Sequence, residues 1–166
     1  KVAGSGAGGL AGCRRPGGEI RTILVIRLDH IGDFLMATPA IRALRRAYPA
    51  AEIIGVVGSW ARPVAQANPH LDRLVTYDAI WFRRRSGGIS VWWRNLRTRL
   101  QLIWLRADVA VNLRGDYGNV LFTYLTGARL RAGHVDAPDG GARYRHWLTH
   151  PVTYRADIHE TERCLD

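Results

Sequence analysis

Two carboxylates, an imidazole and a glycine fall within one short stretch: Asp29, His30, Gly32 and Asp33. Carboxylates and imidazoles are the side chains that most often exchange protons with a substrate in general acid–base catalysis. Asp33 is the candidate base. It directly follows Gly32, whose bare backbone can turn tightly and let a substrate approach closely. A second role is open to it, because a carboxylate at the start of a helix also interacts with the unpaired first-turn N–H groups. Asp29 and His30 read as a solvated loop pair or as a catalytic dyad. A second polar group, Arg114, Gly115 and Asp116, could bind an anionic part of a substrate, since a guanidinium grips carboxylate or phosphate with two parallel hydrogen bonds. A surface salt bridge between Arg114 and Asp116 is the plainer alternative.

Both groups follow apolar runs, and the elements around them can be read in order. Residues 22–28 predict a buried strand. Residues 33–48 predict a helix, with Phe34, Met36, Ala37, Ala40, Ile41, Leu44 and Ala47 forming its apolar stripe. Further strands are expected at 51–58, 71–77, 107–113, 129–134 and 147–152. Helices are expected at 60–67 (capped by Ser59), 89–105, 119–125 (closed by Gly127) and from 159 onward. Strands that are apolar throughout imply cover on both faces. The alternation predicts a doubly wound, mostly parallel, Rossmann-like α/β sheet. In such a sheet the first and fourth strands can flank the switch point, and ligands sit at the carboxyl ends of the strands. The loops at 29–33 and 114–116 would then face one crevice.

The 166 residues suffice for one full core. No run approaches the length of a membrane span. The net charge of +10 predicts attraction to something anionic, although arginine richness also suits a GC-rich genome. Lys1 is the only lysine. Residues 1–20 contain seven glycines and predict a flexible leader. Cys13 and Cys164 read as free thiols. The segment 10–13 has the look of a lipoprotein cleavage site, but no apolar segment precedes it. No metal-spaced cluster, Asp-x-Asp pair, Walker lysine or G-x-G-x-x-G loop occurs.

Residues 81–106 hold seven arginines and four tryptophans, and no carboxylate occurs between Asp78 and Asp108. Arginine and tryptophan together favour the headgroup layer of an anionic membrane. Trp81, Arg83, Arg84, Arg85, Trp93, Arg94 and Arg97 are the expected contacts. Trp92, Leu96, Leu100 and Ile103 alternatively pack on the sheet as core.

The sequence resembles the N-terminal half of glycosyltransferase family 9, the bacterial lipopolysaccharide heptosyltransferases. The resemblance rests on the opening motif at 23–41, ILVIRLDHIGDFLMATPAI, on DVAVNLRGD at 108–116 with LTGARLRAGH at 125–134, and on HETERCL at 159–165. It implies a two-domain GT-B enzyme of the inverting, metal-independent type, and no cofactor beyond the nucleotide-sugar donor, typically ADP-heptose. Residues 21–158 would be the acceptor-side domain. Residues 159–166 would begin an interdomain helix, and the donor domain would be absent, leaving this segment inactive alone. Asp33 matches the family's proposed base. Asp29, His30, Gly32, Arg114 and Asp116 would line the acceptor, a lipid-linked glycan. The expected place of work is cytoplasmic, on the inner face of the bacterial inner membrane. Competing readings are another α/β nucleotide-binding domain, or a non-catalytic module that uses its arginines on nucleic acid. No RRM, KH, helix-turn-helix or zinc-finger pattern supports the last.

Overall fold

The computed structural model describes residues 19–79, 89–135 and 141–165. Residues 1–18 of the leader expected at 1–20, with Cys13, Trp81 and the arginines Arg83, Arg84 and Arg85, lie outside the described residues.

Among the described residues, twelve elements follow one another: β1 (Thr22–Arg27), α1 (Ile31–Ala47), β2 (Glu52–Val57), α2 (Arg62–Ala65), β3 (Arg73–Thr76), α3 (Ile89–Trp104), β4 (Val109–Asn112), α4 (Tyr117–Leu125), β5 (Leu130–Val135), a 3-10 helix (Gly141–Trp147), β6 (His150–Thr153) and α5 (Glu160–Arg163). The six strands form one sheet in the order β3-β2-β1-β4-β5-β6, and every pairing is parallel. Val25 at the centre lies opposite Gly55 on one side and Val111 on the other. This is the doubly wound arrangement expected, with β1 and β4 flanking the point where the strand order reverses.

Successive strand residues point to opposite faces, so β1 feeds two cores. Ile23 and Val25 pack with Phe34, Ile41 and Ile53 beneath α1 and α2. Leu24 and Ile26 pack with Ile54, Val56, Leu102 and Phe122 beneath α3 and α4. Of the predicted α1 stripe, Phe34, Ala37, Ala40, Ile41 and Leu44 are buried; Met36 is half-buried and Ala47 is exposed.

Several boundaries differ from expectation. The helix expected at 60–67 contracts to α2, and Ser59 does not cap it. Its N-cap is Ala61, with a proline in the first two positions, and the Ser59 N–H instead donates to Asp78 Oδ1 at 2.9 Å. Helix α4 begins two residues early because Asp116 caps it. Gly127 closes α4 as expected, with the left-handed φ of +71° that glycine accepts without steric cost. The 3-10 turn before β6 had no signal in the sequence.

The larger correction concerns α3. Its buried face holds Asn95, Thr98 and Leu102, whereas Trp92, Leu100 and Ile103 are exposed rather than core. Two polar contacts fix the helix in this rotation. Asn95 Nδ2 donates to the Asp78 carbonyl at 2.7 Å, and Arg94 pairs with the buried Asp78 carboxylate. A buried carboxylate is costly without a partner, so satisfying Asp78 outweighs burying one indole.

Candidate functional site

The β1 strand ends in an arginine inside an otherwise apolar run, and the site is built around it. Arg27 is buried. Its Nε lies 3.1 Å from Asp29 Oδ2, and its Nη2 lies 2.7 Å from Glu160 Oε1 and 3.7 Å from Asp33 Oδ1. Nη1 donates to the Leu113 carbonyl after β4. One side chain therefore joins the loops after β1 and β4, the start of α1 and the last helix.

Asp33 sits in the first turn of α1 and is 25 % exposed. Its Oδ2 accepts the His30 N–H at 3.2 Å, so the helix-capping role is realised. His30 Nδ1 lies 3.5 Å from the same oxygen. His30 is itself 78 % exposed and does not line the cleft described below. Gly32 is not a tight turn. It lies within α1, has no left-handed φ, and a Cβ built on it would meet nothing within 4 Å. The space beside it is open.

Asp29 is fully buried and is therefore an internal counter-ion rather than an acceptor contact. It lies between Arg27 and Arg114, whose Nη1 is 3.5 Å from Asp29 Oδ1. Burial pushes its carboxyl up to about 6, although both arginines pull the other way. Trp60 Nε1 donates to the Asp29 carbonyl at 2.6 Å and fixes this loop from the β2 side.

After β4, Arg114 pairs with Asp116 through a 2.6 Å contact, as the plainer reading had it. Asp116 in turn accepts from the Asn119 backbone at 3.0 Å and the Asn119 side chain at 2.6 Å. Gly115 is required by close approach: a Cβ there would lie 2.9 Å from the His134 carbonyl oxygen of β5.

These groups line an open cleft of about 370 Å³ at the carboxyl ends of β1 and β4. Arg27, Asp33 and Met36 form one wall and Leu113 to Asp116 another; His134, Tyr154, Glu160 and Arg163 close the third. Three guanidiniums face three carboxylates, so the cleft is charge-balanced despite the chain's net +10. A larger groove of about 910 Å³ runs along α1 and α2, but its lining is mostly apolar. The smaller cleft has the converging polar groups and the switch-point position. Among the described residues no group of three or more His, Cys, Asp and Glu side chains could hold a metal ion.

Cleft residues that sequence reasoning passed over are Arg27, His134, Tyr154, Glu160 and Arg163. Arg27 left a signal, as a charge within a buried strand. His134, Glu160 and Arg163 lie within the segments that carry the resemblance but had no role read for them, and Tyr154 left no signal. Of the expected membrane contacts, Trp93 and Arg97 are exposed on α3, whereas Arg94 is tied to Asp78. Cys164 is a buried free thiol, and burial pushes it up to about 11, which makes it unreactive.

The same architecture recurs in solved structures. A family 9 glycosyltransferase from Veillonella parvula superposes with a TM-score of 0.68 and 20% identity, over 87% of this chain and 39% of its own. The E. coli heptosyltransferase WaaC with ADP-2-deoxy-2-fluoro heptose gives 0.71 and 15%, over 87% and 46%. The E. coli ADP-heptose lps heptosyltransferase II gives 0.66 and 24%, over 87% and 39%. The fold is the one these glycosyltransferases share. The chain spans less than half the length of each. No protein-family profile matches the sequence, and no curated protein matches it by sequence.

Proposed function

We propose that this chain is the acceptor-side domain of a heptosyltransferase-like glycosyltransferase. The observation that carries the reading is a partly exposed carboxylate, Asp33, in the wall of an open cleft at the switch point of the sheet. In the reaction, Asp33 takes the proton of an acceptor hydroxyl as that oxygen attacks the sugar's anomeric carbon. The bond from that carbon to the donor's phosphate oxygen breaks, and the nucleoside diphosphate leaves with the electron pair. Attack opposite the leaving group inverts the anomeric centre. Arg27 orients Asp33, and the part-exposed Arg114 faces the acceptor's anionic groups.

The donor is a nucleotide sugar of the ADP-heptose kind, held mainly by a second domain. The acceptor is a lipid-linked glycan of the lipopolysaccharide core, met at the cytoplasmic face of a membrane. Two of the similar structures contain ADP or an ADP-heptose analogue, which supports the donor class.

The direct test is transfer by a two-domain protein carrying this chain, with ADP-heptose and a lipid-free acceptor bearing anionic sugars. Product formation that Asp33→Asn abolishes supports the reading. Wild-type turnover in Asp33→Asn removes the carboxylate from the mechanism.

A further inference from the structure

We propose that the outward face of α3 is a docking surface for an anionic lipid bilayer, on which the helix lies flat. This deepens the glycosyl-transfer reading by naming the surface on which a lipid-linked acceptor would be met.

Trp92, Leu96, Leu100 and Ile103 recur at helical spacing and form one stripe, with Trp93 and Trp104 beside it. Five of these six are exposed, Trp93 at 59 % and Trp104 at 84 %. Trp92 and Trp93 meet edge to face at 4.9 Å. The opposite side of the helix is committed to the sheet through Asn95, Thr98 and Leu102, and Arg94 is held by Asp78. The stripe therefore has no route inward without breaking the ion pair that Arg94 makes with the buried Asp78 carboxylate.

The charge around the stripe selects the occupant. Arg97 and Arg106 are exposed and Arg99 is half-buried. No carboxylate occurs between Asp78 and Asp108, and Asp78 is itself buried and paired. The border is cationic. A second copy docked through the same face would bring like charges together, because a two-fold interface pairs each patch with itself. Anionic headgroups neutralise the border while the indoles settle at the headgroup level. No described helix is long and apolar enough to cross a membrane, so the contact is interfacial. Helix α3 also runs against the strands. Its Trp92–Trp93 end, near Asp78 after β3, stands at the same end of the sheet as the cleft.

The test is co-sedimentation of the full chain with glycan-free vesicles, of phosphatidylcholine alone or with phosphatidylglycerol. Binding should require phosphatidylglycerol and weaken with salt. The combined variant Trp92→Ser, Leu100→Gln, Ile103→Gln, Trp104→Ser should lose about tenfold or more in partitioning while its circular dichroism stays native. The control Arg42→Glu, Arg46→Glu, on α1, should bind as the wild type does. The proposal is overturned if the α3 variant binds normally, or if both variants lose binding equally, which would mark a general charge effect. It is also overturned if the wild type ignores both vesicles and forms a dimer that the α3 variant abolishes. The vesicles carry neither donor nor acceptor, so failure here leaves the transfer reading to its own assay. Failure of that assay likewise leaves the docking surface intact.

Discussion

The Arg27 guanidinium lies 3.7 Å from the Asp33 carboxylate, joining the last residue of β1 to the first turn of α1. Arg27 is buried, but Asp33 reaches the cleft. A carboxylate that caps its own helix is thus also aimed by a cation it did not have to share a loop with. The two roles read for Asp33 from the sequence are compatible in geometry: one oxygen accepts the His30 N–H and the other faces Arg27.

Replacing Asp33 with Asn in a two-domain protein should lower kcat by about 10²–10⁴-fold with little change in KM, the signature of a lost general base. The amide keeps an oxygen for the His30 N–H, so the stability loss should stay within about 1 kcal/mol. Steady-state kinetics beside a thermal melt separate the two effects. A change within about twofold in kcat would contradict the role.

Replacing Arg27 with Met leaves Asp29 and Glu160 without their shared cation. The expected loss is about 3–5 kcal/mol, as for a buried pair broken from one side. For a chain of this size that lowers Tm by about 10 °C. Lysine should not rescue, because one ammonium cannot reproduce the fork that spans Asp29, Leu113 and Glu160. A melt of Arg27→Lys at wild-type Tm would show that charge alone suffices.

Asp29 gives a pH signature. Its folded carboxyl titrates at about 6, raised by burial from 3.8. The folded state therefore binds the proton more tightly than the unfolded chain does, and stability falls as pH rises from about 4 to about 6. At pH 7 the ionised form costs about 3 kcal/mol relative to the unfolded chain. Asp29→Asn carries no such charge. Its stability relative to wild type should improve by up to that amount between pH 4 and pH 7, read by urea unfolding at both. A pH-independent difference would place the Asp29 titration elsewhere.

Gly58 has no space for a side chain, since a Cβ there would overlap the Trp60 ring. Gly58→Ala should push the indole aside, weaken its bond to the Asp29 carbonyl and cost about 1–3 kcal/mol. In a Trp60→Phe background the same substitution should cost measurably less. A double-mutant cycle of urea midpoints gives that coupling directly. Strict additivity would mean that the strain is relieved somewhere other than the ring.

Periodicity made much of this architecture readable. Apolar runs such as 23–26 and 109–111 announce covered strands, and α1 announces its face through Phe34, Ala37, Ile41 and Leu44. The alternation of strands and helices makes the strand-end position of the 29–33 and 114–116 loops readable, whereas the role proposed for Asp33 rests on the resemblance. What stayed hidden depends on contacts distant in sequence. Arg27 and Glu160 are 133 residues apart and meet only through the fold. The rotation of α3 depends on Asp78, which nothing in the helix's own pattern announces. Hydrophobicity alone would turn Trp92 inward, and a buried carboxylate turns it out.

Arg27 is gripped from two directions, by the loop entering α1 and by Glu160 on α5. A shift of α5 therefore pulls on the same cation that steadies the cleft carboxylate. By reciprocity, whatever fills the cleft must in turn bias where α5 rests. Substrate occupancy and the pose of the polypeptide beyond β6 become one coupled equilibrium.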